Sequence, residues 1–118
     1  MSAKSKASST LSLNIRLRIG GGAKIALGPG KVRLLTLLNE TGSISEAASR
    51  MGMSYMRAWS MVKTLKPLVQ ASRGGKGGGG AELTDAGRQV LELYQRMEVA
   101  GLKAIQADWE TLQARFRD

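Results

Sequence analysis

Apolar and polar residues alternate strictly near the start of the chain. In residues 11–19, the odd positions are apolar and the even positions are polar, namely Ser12, Asn14, Arg16 and Arg18. This period of two predicts a half-buried strand. Three glycines follow at 20–22, and residues 23–27 are predicted to return as a second short strand of a hairpin. Residues 1–10 have no apolar pattern and are predicted to be a disordered tail.

Further along the chain, apolar residues recur at helical spacing. The stretch 31–41 predicts a first helix that ends at Gly42, because glycine suits the left-handed conformation of a helix C-cap. Ser43, with Glu46 three residues later, has the pattern of a capping box and predicts a second, short helix. Gly52 marks the end of this second helix and the start of a tight turn.

A third helix is predicted to start at Ser54 as N-cap and to stop at Pro67. Five residues of the second helix and the turn are predicted to pack beneath it: Ile44, Ala47, Ala48, Met51 and Met53. Adjacent alanines allow two helices to approach closely. Two short helices joined by a tight turn are typical of a helix-turn-helix, although any three-helix core with small residues at a crossing shares these features.

The last segment, 84–118, contains no proline. It predicts one helix that starts at Thr84 or Asp85, runs to about residue 117 and is roughly 50 Å long. Its apolar stripe consists of Val90, Tyr94, Met97, Gly101, Ile105, Trp109, Leu112 and Phe116. Because the small domain cannot cover all of this stripe, we expect it to form a dimer interface. A shorter helix with a kinked or disordered tail is the alternative.

Charge is distributed unevenly along the 118 residues, whose formal net charge is +9. Residues 1–83 carry 13 basic and three acidic side chains, a net charge of +10. Residues 84–118 carry five basic and six acidic side chains, a net charge of −1. A concentrated positive field suits a polyanion, and nucleic acid is the expected partner, although a basic charge can also serve solubility alone.

Histidine and cysteine are both absent from the sequence. Their absence excludes disulfides and serine–histidine or cysteine–histidine catalysis, and it argues against a structural zinc site. We therefore expect no enzyme activity, metal or cofactor. The sequence has neither an apolar run long enough to span a bilayer nor the apolar core of a signal peptide, so we expect a cytoplasmic protein that does not interact with membranes.

The glycine-rich tract SRGGKGGGG at 72–80 has three possible interpretations. A phosphate-binding loop of the P-loop type requires a hydroxyl residue after its lysine, but Lys76 is followed by Gly77. A flexible linker is possible, yet the tract lies between strand-compatible segments of one small domain. We favour the tip of a wing, in which Gly74 allows close approach to a sugar-phosphate chain and Arg73 and Lys76 pair with phosphates.

Two quoted motifs resemble a known family. The segment GSISEAASRMGMSYMRAW, followed by SRGGKGGGGAELTDAGRQVLELYQ, closely resembles the N-terminal DNA-binding domain of ModE-type molybdate-responsive regulators. It is more weakly similar to the LysR-type helix-turn-helix. The resemblance covers about residues 11–97. It implies a bacterial transcription regulator that is mainly α with a small β component, with a winged helix-turn-helix and a long dimerising helix.

The resemblance also implies binding of a palindromic operator by a homodimer. Family members sense molybdate through C-terminal oxyanion-binding domains. Nothing up to Asp118 resembles such a domain, so we do not expect this chain to bind molybdate. The expected organisation is therefore a tail (1–10), a winged helix-turn-helix (11–83) and a dimerisation helix (84–118).

The expected DNA contacts lie on the third helix, at the start of the second helix and in the wing. They are Ser43, Ser45, Ser54, Tyr55, Met56, Arg57, Ser60, Lys63, Arg73, Gly74 and Lys76. Tyr55, Arg57 and Ser60 are candidates for base contacts, and the cations Lys63, Arg73 and Lys76 for phosphate contacts. Simple helix capping explains Ser43 and Ser45 equally well.

Two other functions remain open. An RNA-binding protein would use the basic glycine-rich tract, but the chain has one such tract and only 4% aromatic residues for stacking on bases. An interaction subunit would use its last helix to form heterodimers with a longer, full-length regulator.

Overall fold

A computed structural model describes residues 11–20, 26–72 and 80–116. The described residues form five helices and a two-stranded antiparallel sheet, which confirms the prediction of a mainly helical fold with a small β component. The helices are α1 (Pro29–Thr41), α2 (Ile44–Met51), α3 (Tyr55–Lys63), α4 (Asp85–Ala104) and α5 (Gln106–Arg115), and the strands are β1 (Val69–Ser72) and β2 (Gly80–Leu83).

The chain divides into two compact units. One unit spans residues 16–96 and holds the first three helices, the sheet and the first part of α4. The other unit combines residues 1–15 with 97–118, of which 11–15 and 97–116 are described. The boundary therefore falls within α4, at Met97, whereas the predicted dimerisation helix starts at residue 84.

Helix ends in the larger unit follow the predicted caps. Gly42 closes α1 with a φ of 69°, and its N–H donates to the Leu38 carbonyl. The Ser43 hydroxyl accepts the N–H of Glu46 at 3.0 Å and so begins α2. Gly52 closes α2 with a φ of 68°. These left-handed conformations are unfavourable for residues with a Cβ, which explains glycine at both positions.

The capping box at α2 is only half formed. The backbone N–H of Ser43 donates to the Thr41 hydroxyl at 3.1 Å and not to the Glu46 carboxylate. The Glu46 carboxylate instead accepts from Arg50, one turn further along α2, at 3.1 Å. The second bond of a capping box, from the Ser43 N–H to the Glu46 carboxylate, therefore does not form, because both groups have other partners.

Helix α3 ends earlier than the position of Pro67 suggests. Its last residue is Lys63, and Thr64 forms its C-cap. The N–H of Leu65 donates to the Val62 carbonyl at 3.0 Å, which tightens the chain into a turn. Leu65 lies in this turn and is completely buried, so the turn contributes an apolar side chain to the core.

The core of the larger unit lies where α1, α2 and α3 meet the sheet. Ala47 of α2 and Ala58 of α3 are both fully buried, as expected for small residues at a close helix crossing. Met51 and Met53 pack against the core while half-buried. The most deeply buried large side chains are Leu34, Leu35, Leu38, Ile44, Leu65 and Tyr94.

The sheet is joined to the start of α2. Strands β1 and β2 pair with Val69 opposite Leu83. Gly80 forms an isolated bridge with Ser43, and the N–H of Ala81 donates to the Gly42 carbonyl at 3.3 Å. The first residues of β2 therefore lie directly beside the turn that connects α1 to α2.

The predicted N-terminal hairpin is reduced to one bridge in the described residues. Ile19 and Leu27 exchange two backbone hydrogen bonds of 2.7 and 2.9 Å, but residues 11–18 join no sheet. The alternation nevertheless persists in the burial, with Leu13, Ile15 and Leu17 half-buried between exposed polar residues. The prediction of a strand was wrong. Alternation of apolar and polar residues indicates that one face is buried, but it does not require a neighbouring strand to pair with. Residues 21–25 and the tail 1–10 lie outside the described residues.

The predicted single C-terminal helix is divided in two. Helix α4 ends at Ala104, and Ile105, with φ of −105° and ψ of 7°, separates it from α5. No side chain caps this break. The apolar stripe continues across Ile105 without interruption. The sequence pattern therefore could not indicate that this one residue is not helical.

Candidate nucleic-acid interface

The exposed face of α3 carries the residues predicted to contact DNA. Ala58 and Val62 of α3 are buried in the core and fix how the helix is rotated. The opposite side is open to solvent, and Met56 is 66% exposed despite its apolar side chain. The exposed candidates are Ser54, Tyr55, Met56, Arg57, Ser60 and Lys63.

The cations of this face are not neutralised within the described part of the chain. Arg50 pairs with Glu46 at 3.1 Å, and Arg88 pairs with Asp85. By contrast, no acidic side chain of the described residues lies within ion-pair distance of Arg57 or Lys63. These two side chains therefore retain their full charge for an external anion.

Trp59 anchors one edge of the face. Its side chain is half-buried and packs against the core. The Lys63 ammonium lies over this ring, 5.9 Å from its centre. A cation–π contact of this length is weak at an exposed site. It orients the lysine side chain and leaves its positive charge unpaired. Lys66, three residues after Lys63, is a further exposed cation near this face that was not among the predicted contacts.

The two serines at the start of α2 differ in their surroundings. Ser43 is half-buried, and its hydroxyl is occupied by the Glu46 N–H. Ser45 is exposed. Ser43 therefore acts as a helix cap in this structure, and Ser45 is the more accessible of the two.

The predicted wing-tip residues Arg73, Gly74 and Lys76 lie outside the described residues. In the sequence, β1 precedes these residues and β2 follows them. Gly80 and Ala81 are buried, and Gln70 and Glu82 form a cross-strand contact of 3.3 Å on the exposed side.

Residues predicted for a dimer interface fall into two groups. Tyr94 is a core residue of the larger unit, since only 2% of it is exposed and its hydroxyl donates to the Leu17 carbonyl. Val90 is half-buried against the same core. The remaining members lie in the smaller unit, where Gly101 and Trp109 are half-buried and the exposed residues are Met97, Ile105, Leu112 and Phe116.

Replacing Ser54 with alanine is expected to lower the free energy of unfolding by about 1 kcal/mol, because the N–H of Arg57 loses its 3.1 Å bond to the serine hydroxyl. Chemical denaturation of the free protein measures this loss. Ser60→Ala is the matched control, since Ser60 is exposed in the middle of the same helix and caps nothing. Equal stability of the two variants would contradict the capping role.

In the described part of the chain, no helix is long and apolar enough to cross a membrane. The same residues contain no group of three or more acidic side chains placed to hold a metal ion.

Comparison with known proteins relates this chain to molybdenum regulators. No protein-family model matches the chain. The molybdenum-pterin-binding protein MopB of Rhodobacter capsulatus is 40% identical over 89 residues, which cover 71% of this chain and 33% of MopB. The DNA-binding transcriptional dual regulator ModE of Escherichia coli K12 is 36% identical over 86 residues, which cover 69% of this chain and 33% of that protein. The molybdenum transport protein ModE of Azotobacter vinelandii is 38% identical over 79 residues, which cover 63% of this chain and 29% of the relative.

These similarities confirm the resemblance seen in the sequence motifs. The chain is related to the ModE-type family of regulators. It matches about one third of the length of these relatives. The relatives are named as regulators, a transport protein and binding proteins, not as enzymes, consistent with a chain that has no histidine or cysteine.

Proposed function

We propose that this chain is a sequence-specific, double-stranded DNA-binding module of a ModE-type transcription regulator. In this proposal, α2, its turn and α3 form a helix-turn-helix, and β1 and β2 form the wing. The observation that carries the proposal is the exposed face of α3, which presents unpaired cations and hydroxyls while its buried face fixes its orientation. An α-helix with such a face fits the major groove.

Base contacts are assigned to Tyr55, Arg57 and Ser60, because arginine can grip guanine through two hydrogen bonds and a hydroxyl can donate or accept. Phosphate contacts are assigned to Lys63, to Ser45 at the start of α2, and to Arg73 and Lys76 of the wing. Phosphate contacts position the duplex but carry no sequence information directly.

Selection of bound sequences from random duplex DNA tests the proposal. We expect one enriched, palindromic motif and an affinity that falls steeply with salt. Competition with RNA of the same sequence separates this function from RNA binding. Absence of an enriched motif, or equal competition by RNA, would refute the proposal.

Arg57→Ala is expected to lose about 1–3 kcal/mol of discrimination at one position of the selected motif, because the guanine edge loses its partner. Binding isotherms for the best sequence and for single-base variants measure this change. Lys63→Ala is the matched comparison, and it should weaken binding to all sequences alike. If Arg57→Ala also weakens all sequences equally, Arg57 contacts only the backbone.

A homodimer is the second part of the proposal. The smaller unit exposes large apolar side chains from both helices, including Met97, Leu102, Leu112 and Phe116. Two copies can approach through this region without strong repulsion, because residues 84–118 carry a net charge of only −1, whereas residues 1–83 carry +10. A dimer would offer two α3 helices to successive major grooves about 34 Å apart, matching a palindromic operator.

A further inference from the structure

A second cationic site lies beside α3. A pocket of about 420 Å³ is lined by the segment before α1, the first turn of α1 and one residue of α3. Its lining includes Arg18, Ile19, Leu27, Gly28, Lys31 and Met61. We propose that this pocket binds a backbone phosphate of the same duplex that α3 contacts. This inference rests on the proposed function and adds a binding site to it.

The pocket is positive and lacks a counter-charge. Among its described lining residues, Arg18 and Lys31 are the cations and none is acidic. The first acidic residue of the whole sequence is Glu40, so no neighbouring segment of the N-terminal part supplies a carboxylate. Among the described residues, neither cation forms an ion pair. Both cations are therefore available to pair with an external anion.

Arg18 is held in place by its own surroundings. Its guanidinium lies 3.3 Å from the position that a Cβ on Gly28 would occupy. Because Gly28 has no side chain, the guanidinium can lie close to the backbone of Gly28. The double hydrogen bond between Ile19 and Leu27 fixes the adjoining residues. Leu27 is buried and Met61 is half-buried, so one wall of the pocket is apolar. A cation beside an apolar wall attracts an anion more strongly than a fully solvated cation does, because the local dielectric constant is lower.

The position of the pocket fits the path of a duplex on α3. Met61 follows Arg57 by four residues and therefore lies one turn further on the same side of the helix. Trp59 and Lys63 mark the other side. A major groove that receives α3 has a phosphate backbone along each flank, and the pocket lies on the flank opposite Lys63.

Salt-dependent binding of the full chain to its selected duplex tests the inference. Arg18→Gln and Lys31→Gln should each weaken binding about threefold or more near physiological salt and lower the slope of log K against log salt by about 1. Discrimination between sequences should stay unchanged, because a phosphate contact does not read bases. The matched controls are Arg16→Gln and Arg33→Gln, which remove one exposed charge from the same segment and the same helix outside the pocket.

The outcomes separate the two proposals. If the pocket variants behave like the controls while the unmodified protein binds its motif, the phosphate pocket is refuted and the proposed function stands. Equal weakening by all four variants also refutes the pocket, since the effect then reflects general charge. If the unmodified protein binds no duplex, both proposals fail. Unchanged thermal unfolding of the free variants establishes that any lost affinity is not lost folding.

Discussion

Alanine in place of Gly87 is expected to lower the free energy of unfolding by about 3 kcal/mol. A Cβ built at this position lies 2.1 Å from the carbonyl oxygen of Leu68 and 3.3 Å from the Cβ of Leu83. Real Cβ atoms do not come so close to a backbone oxygen, so either α4 or the chain before β1 must move. No rotation of a side chain relieves this contact, because the obstructing atom belongs to the backbone.

The surrounding hydrogen bonds explain why such a movement is unfavourable. The Leu68 carbonyl accepts the N–H of Thr84 at 2.9 Å. The Thr84 hydroxyl accepts the N–H of Gly87 at 3.1 Å and donates to the Pro67 carbonyl at 2.8 Å. Displacing the start of α4 would break several of these bonds together, and each contributes about 1 kcal/mol.

Chemical denaturation with Gly30→Ala as control checks the prediction. Gly30 lies near the start of α1, and nothing is within 4 Å of its Cβ position. The same substitution there should leave stability unchanged or raise it by up to about 1 kcal/mol, because alanine favours the helix. Similar unfolding midpoints for the two variants would show that Gly87 is not needed for close packing.

Leu112→Glu is expected to weaken self-association at least about 100-fold, equivalent to about 2.7 kcal/mol. Leu112 is 46% exposed on α5, where the proposed dimer would bury it. In a symmetric dimer, one substitution places two carboxylates in the interface, and burying an unpaired charge is strongly unfavourable. Sedimentation equilibrium measures the dissociation constant, and binding to the palindromic motif should weaken with it.

Ala114→Glu is the control for this prediction. Ala114 is exposed two residues further along α5, and therefore on the opposite side of the helix. The Ala114→Glu substitution adds the same charge to α5 as Leu112→Glu does, yet it should leave the dimer intact. A monomeric unmodified protein, or equal dissociation of both variants, would refute the assigned interface.

The first three helices could be predicted from the sequence, apart from the end of α3, because the caps that bound them depend on local chemistry. Gly42 and Gly52 adopt the left-handed conformation that only glycine enters readily, and Ser43 and Ser54 cap the next helices. Each of these signals acts within four residues. The exposed face of α3 followed directly, since its opposite face is set by Ala58 and Val62.

Features that depend on distant neighbours could not be predicted in this way. The close contact between Gly87 and Leu68 joins residues 19 positions apart, and no local pattern reports it. Tyr94 belongs to the same helical stripe as Leu112, yet its ring is buried and its hydroxyl reaches Leu17. Periodicity identifies an apolar face, whereas the fold decides which part of that face meets the core and which part stays exposed.

The pairing of Ser43 with Gly80, together with the bond from Ala81 to Gly42, ties the sheet to the helix pair. A graft of α3 alone into another protein would omit Gly42 and Ser43, which bond to β2 and so fix the position of the sheet. A transplantable cassette must therefore contain both partners of this pairing and also α1, whose Leu34, Leu35 and Leu38 belong to the same core. Redesign of the proposed DNA-sequence preference should thus vary side chains on α3 and leave residues 42–43 and 80–81 unaltered.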